Sequence, residues 1–188
     1  MGRTYDALDD RWCDWIARQP MFFVATAPLA ADGHVNVSPK GPGSSLAVRG
    51  PREIAYLEVM GSGAETAAHL RENGRICVMF CAFEGPPRIL RLHGRGEVVP
   101  VGDPRFAQLA AGLQAPGLPE NRRSVIRVDV FRIADSCGYT VPLMEMVGQR
   151  DHYDRHAEKK LRTLGAEGLA AEPSVKNAAS IDGLPAFG

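Results

Sequence analysis

The stretch with the most chemical content is Gly61-Ser62-Gly63-Ala64-Glu65-Thr66, which follows an apolar run and opens a helical pattern. Glycines, two hydroxyls and the free N–H groups of a helix start make a site for an anion. The order imitates the dinucleotide-binding G-x-G-x-x-G. The third glycine is absent, however, and the next strand pattern opens already at Arg75. That is too soon for a βαβ unit, so the stretch reads as a monophosphate site. The competing reading is an ordinary N-cap, with Ser62 or Thr66 satisfying orphan amides.

Four further groups carry possible chemistry. Ser38-Pro39-Lys40-Gly41 ends an alternating segment, and Lys40 is the only lysine in the first 158 residues. A lone ammonium amid arginines suits a point-charge role toward a phosphate or a flavin ring edge. It is otherwise an exposed strand-end lysine. Arg91, His93 and Arg95 fall on one face of a strand and Arg88 on the other. The outer face of a barrel would hold them without any function. In Ser136-Cys137-Gly138-Tyr139, the glycine lets backbone approach a flat ligand and Tyr139 can stack or hydrogen-bond. Nothing beside Cys137 supplies the setting a nucleophilic thiolate needs. His152 and His156 stand one helical turn apart, as zinc ligands can. No third ligand accompanies them, so a solvated helix face is the simpler account.

These residues need a scaffold, and the periodicity supplies one. Trp12, Trp15 and Ile16 mark one face of a helix that Asp9 or Asp10 can cap and Pro20 stops. The period then falls to two. Strands are expected at residues 21–27, 34–40, 53–59, 75–83, 88–99 and 122–134. In the second of these, Val35 and Val37 are expected to face inward, with Asn36 and Ser38 on the other side. Gly94 and Gly96 suggest a bulge in the fifth. Short helices are expected at 65–72 and 103–112 and a polar one at 151–164. The tail from Gly165 has no period and reads as a surface arm. Strands this close together cannot alternate with crossover helices, so the sheet is antiparallel and barrel-like.

Composition bounds the function. The 188 residues carry 22 basic and 22 acidic side chains, which gives no global pull toward nucleic acid. Four of the basic residues are lysines and the rest arginines. No apolar run reaches the roughly 18 residues of a membrane span, and the N-terminus lacks a signal-peptide core. Four scattered cysteines suggest reduced thiols and a cytoplasmic protein.

Taken in order, VNVSPKG, IAYLE, GSGAETAAHLRENGRICVMF, PPRILRLHGRGEV, IRVDVFRI and SCGYTVP resemble the pyridoxamine 5′-phosphate oxidase-like flavoproteins. The resemblance runs from Met21 to Val147. It is most specific over residues 61–80 and 88–97. It implies a mainly β fold, the six-stranded antiparallel split β-barrel of FMN-binding type, with N- and C-terminal helices. Residues 1–20 would form the first helix, 21–147 the barrel, and 148–188 a helix and arm of the same domain. It also implies a homodimer with FMN at the subunit interface.

Carried over by position, Lys40 matches a family lysine that contacts FMN, and Val37, Ser38 and Pro39 run beside the flavin ring. Ser62, Gly63 and Thr66 fall near the phosphate. Arg88 and Arg91 line the flavin. Ser136 to Tyr139, with Cys137 and Tyr139 as the side chains, falls where the partner subunit approaches. Two departures matter. Glu65 and Thr66 stand where the oxidases carry an Arg-Lys pair, and the oxidases' C-terminal substrate-binding Arg and His have no counterpart. The resemblance thus implies an FMN-dependent oxidoreductase on an unidentified small molecule, not pyridoxal phosphate synthesis. The alternatives are a deazaflavin-dependent reductase, a non-catalytic flavin- or haem-binding carrier or sensor, and a barrel that binds nothing. No catalytic residue or metal is assigned; Tyr139 and His93 are the side chains to test.

Overall fold

The computed structural model of the chain describes residues 2–61 and 63–187. Its elements run β1 (Thr4–Tyr5), α1 (Asp10–Ala17), β2 (Phe22–Thr26), β3 (Asn36–Lys40), β4 (Leu46–Gly50) and β5 (Glu53–Val59). They continue with α2 (Glu65–Asn73), β6 (Arg75–Cys81), β7 (Ile89–Pro100), α3 (Phe106–Ala110), β8 (Arg122–Ser136) and α4 (His152–Lys176). The strands form one antiparallel sheet in the order β3-β2-β6-β7-β8-β5-β4, with β1 paired to β8. The mainly β, split-barrel architecture expected from the sequence is therefore present. Two short strands, β1 and β4, raise the count among the described residues from six to eight.

Alternation explains the core. Phe22 and Val24 of β2, Ile54 and Tyr56 of β5, Val78 and Phe80 of β6, and Leu90 and Leu92 of β7 point inward and are fully buried or nearly so. Each such side chain contributes roughly 1.5–3 kcal/mol by leaving water. Phe22 meets Tyr56 and Phe80 at ring-centroid distances of 5.4 and 5.9 Å. Helix α1 closes one end by burying Trp12 and Ile16 against this cluster. Asp9 caps it, accepting from the Trp12 N–H at 3.0 Å.

Strand β7 bends where the glycines predict, with a register shift against β8 at His93/Gly94. A Cβ at Gly94 would lie 2.5 Å from the Asp129 carbonyl oxygen, and one at Gly96 would lie 2.8 Å from the Leu70 side chain. The close approach of strand to strand and of helix to strand thus requires both glycines.

Two expectations are corrected. Val35 and Val37 face outward, 70% and 63% exposed. Asn36 and Ser38 take the inner side, where Asn36 donates to Thr66 of α2 and Ser38 donates to Asn36. The tail is not irregular from Gly165. That residue, at φ 70°, breaks α4, and helix resumes to Lys176, so the arm begins only at Asn177.

Candidate functional site

The site grows from the end of β3. The Lys40 ammonium donates to Glu58 Oε1 at 2.9 Å, and Arg123 donates to Glu58 Oε2 at 3.0 Å. Glu58 is buried, brought there by β5, while Arg123 stands at the start of β8. Burial alone would push the Glu58 carboxyl up, but the charges of Lys40 and Arg123 outweigh it and hold it down. One carboxylate thus fixes two cations and leaves a net positive charge. Arg123 also donates to the Gly63 carbonyl at 3.1 Å, tying the cluster to the loop before α2. Among the described residues, the buried Tyr56 hydroxyl has no hydrogen-bond partner. Burial, then the nearby Glu58 charge, raises its pKa well above the ordinary value.

A second polar group covers the inner face of β3. Asn36 Nδ2 donates to the hydroxyls of Thr26 and Thr66 at 3.1 and 3.0 Å, and Ser38 Oγ donates to Asn36 Oδ1 at 2.8 Å. The Thr26 hydroxyl also lies 2.9 Å from His69 Nδ1. Burial lowers the pKa of His69, which favours the neutral ring.

The loop before α2 differs from a bare anion site. Ala64 is the cap position and makes no side-chain cap, so Thr66 is not the cap. The Glu65 carboxylate instead accepts from the Ala64 N–H at 3.0 Å. The chain's own anion therefore sits on the helix start. Ser62 lies outside the described residues.

Beside Lys40 opens a cleft of about 1280 Å³, lined among others by Arg11, Trp15, Pro39, Lys40, Arg88 and Tyr153. Its walls are α1, the end of β3, the β6–β7 turn and the segment leading into α4. Met144 N donates to the Phe83 carbonyl at 2.9 Å and holds that segment against the turn. Tyr153 donates to the Met60 carbonyl at 2.6 Å.

The remaining expected site residues are spread out. Arg91 lies on the outer sheet face and donates to Ser136 Oγ at 3.0 Å. Gly138 packs on the backbone of Arg88, where a Cβ would come within 2.8 Å, so its close approach serves the chain itself. Cys137 and Tyr139 are exposed. His93 is on the outer face, its pKa lowered by burial and then by Arg132 and Arg91. Neither Tyr139 nor His93 lines the cleft. Among the described residues, no three His, Cys, Asp or Glu side chains converge to hold a metal.

Sequence reasoning missed Glu58 and Arg123. Both sit in clean strand patterns, and only the barrel brings them to Lys40. A charged residue at a position whose alternation points inward, as Glu58 follows Tyr56 and Ile54, was the available signal.

The profile of the pyridoxamine 5′-phosphate oxidase family matches residues 8–137. The chain belongs to that family. The pyridoxamine 5′-phosphate oxidase family protein ustO of Aspergillus flavus is 48% identical over 143 residues, 76% of this chain and 57% of that protein. The match thus spans little more than half of that relative's length. Among solved structures, HupZ of Group A Streptococcus superposes with a TM-score of 0.51 at 24% identity, covering 66% of this chain and 90% of that one. A conserved protein of unknown function from Corynebacterium diphtheriae gives 0.51 at 12% identity, covering 73% and 98%. These likenesses establish the fold of this family member. None of its described helices is long and apolar enough to cross a membrane.

Proposed function

We propose that this family member is an FMN-binding flavoprotein and an oxidoreductase on a small molecule, assembled as a homodimer. The observation that carries the reading is Lys40. Its ammonium is anchored on buried Glu58, spends one donor there, and lines the cleft with its side chain 26% exposed. A cation so held keeps a fixed position beside an electron-rich ring edge, and family membership supports a flavin as its owner.

The donor set fits FMN at this ring end. Val37, Ser38 and Pro39 lie on an edge strand, where a ligand can run alongside without breaking the sheet. At the phosphate end, Gly63 and Thr66 offer a partial fit. A phosphate gripping that loop displaces the Glu65 carboxylate from the Ala64 N–H. When bound, FMN supplies hydride or electron transfer. The chain's part is to hold a positive charge at Lys40, orient the ring along β3 and limit water.

The outer sheet face supports the dimer. Val37, Ala25, Cys77 and His93 stand in one cross-strand row, and Pro39, Phe23, Met79 and Arg91 in the next. Such an apolar face with a cationic border suits a second copy. The test is flavin retention. Purified protein mixed with FMN and gel-filtered should keep a yellow band that Lys40→Ala weakens about tenfold, a loss of about 1.4 kcal/mol. Retention unchanged in Lys40→Ala removes Lys40 from the site.

A further inference from the structure

We propose that the C-terminal hairpin, residues 177–187, is a strap that clamps the loop opening α2 and sets how fast a bound flavin leaves. The proposal rests on the flavin reading, because that loop is where the cofactor's phosphate is placed.

The hairpin holds the loop at three points. Asn177 is buried and donates to the Gly61 carbonyl at 2.8 Å. Ala186 is fully buried and packs on Ala64, Ala67 and Ala68 at the start of α2. The Phe187 ring centre lies 4.2 Å from the guanidinium carbon of Arg123, which itself donates to the Gly63 carbonyl and to Glu58. The guanidinium carbon of Arg71, on α2, stands 5.6 Å from the same ring. A cation is attracted to an aromatic face, so Phe187 steadies Arg123 where it meets the loop. Loop, helix start and cation cluster are thus held by one short segment.

That segment can open without the barrel. Its main chain bonds to itself: the Ser180 N–H donates to the Leu184 carbonyl at 2.9 Å, the Ala186 N–H to the Ala178 carbonyl at 2.8 Å and the Phe187 N–H to the Asn177 carbonyl at 3.0 Å. Among the described residues, no main-chain hydrogen bond joins it to the barrel. Its grip is made of side chains, and such a segment opens at a fraction of the global unfolding free energy. A lone hairpin barely holds its own bonds in water, so opening frees its amides. The tip is latched. The His34 N–H donates to Asp182 Oδ2 at 2.9 Å, and His34 Nδ1 lies 2.6 Å from Asp182 Oδ1. His34 leads into β3, the strand that carries Lys40. The latch therefore ties the strap to the ring end of the proposed flavin site, while Asn177 and Phe187 tie it to the phosphate end. A flavin spanning both ends leaves more slowly while both ties hold.

The test uses the full chain with Asp182→Ala, which removes the latch, and Phe187→Ala, which removes the ring over Arg123. Ile181→Ala is the control, since Ile181 is 69% exposed in the same hairpin. Hydrogen exchange reads the clamp. Asp182→Ala and Phe187→Ala should each speed the Leu184, Ala186 and Ala64 amides together by about tenfold. The Val78 amide, in a strand paired on both sides, should keep its rate and report a folded barrel. Arm amides that do not quicken, or a slow Ala64 amide beside a fast arm, overturn the proposal. FMN loaded on the protein and gel-filtered reads the consequence. Its release, followed by the fluorescence of free flavin, should be about fivefold faster in both variants and unchanged in Ile181→Ala. Release at the parent's rate from a variant with a fast arm, or equally fast release from Ile181→Ala, overturns it as well. A protein that retains no FMN, yet quickens the arm and Ala64 together, keeps the clamp and removes the flavin reading.

Discussion

Glu58 shows what one buried carboxylate does for this site. It neutralises part of two cations that would otherwise be desolvated alone. Removing one partner of a buried ion cluster typically costs about 3–5 kcal/mol, because the remaining charges stay buried. Glu58→Ala should therefore lose about that much in urea unfolding, and Lys40→Ala clearly less, since Lys40 is partly exposed. Equal losses would mean that Glu58 is not the centre. Glu65 is the opposite case, a charge in the place of a ligand. Glu65→Gln removes an anion that competes with phosphate for the Ala64 N–H, so FMN should be retained about tenfold more tightly. Weaker retention would show that the phosphate does not use this loop. At this scale the sequence was legible for Lys40, singled out by its rarity. It was silent on Glu58 and Arg123, whose partnership joins positions 65 residues apart.

Elements were legible where periodicity and turn chemistry agreed. The antiparallel order, the glycine bend of β7 and the Asp9 cap all follow from local pattern. The facing of β3 did not. Alternation states that Val37 and Asn36 point to opposite sides, but not which side α2 will cover. The polar residues went inward because Thr26, Thr66 and each other satisfy them.

The arm after α4 was also illegible, since its contacts are long-range. Asn177 donates to the Gly61 carbonyl at 2.8 Å, and Ala186 packs on Ala64, Ala67 and Ala68. Phe187 lies under Arg123, 4.2 Å from its guanidinium carbon. His34 and Asp182 pin the outer turn with a 2.6 Å contact. The hydrogen bond to Asp182 raises the His34 pKa, and the bond from His34 lowers that of Asp182. The histidine contribution is complete below its unfolded value of about 6.5 and fades as pH rises through the raised value. The aspartate contribution is present above about pH 3.9 and fades as pH falls through the lowered value. Protection of the Leu184 and Ala186 amides from hydrogen exchange should thus be greatest between about pH 4 and about 6.5. Asp182→Asn should flatten that profile. A profile that keeps its shape in the variant would assign the pH dependence elsewhere.

For the whole molecule, the outer face of β3, β2 and β6 is the surface proposed to meet a second copy. Val37 is 63% exposed and is not part of the buried core cluster. Val37→Glu should leave thermal stability within about 0.5 kcal/mol of the parent, yet convert a dimer to a monomer in sedimentation. A parent that sediments as a monomer, or a variant that stays dimeric, would remove this face as the interface. The same face borders the edge strand assigned to the flavin, so the variant should also weaken flavin retention if the cofactor sits between subunits.

The most direct test of the central claim is the visible spectrum of the purified protein after mixing with FMN and gel filtration. The account predicts a flavin band that co-elutes with the protein, fades in Lys40→Ala and grows in Glu65→Gln. Protein that elutes colourless, with Lys40 and Glu65 intact, would contradict it.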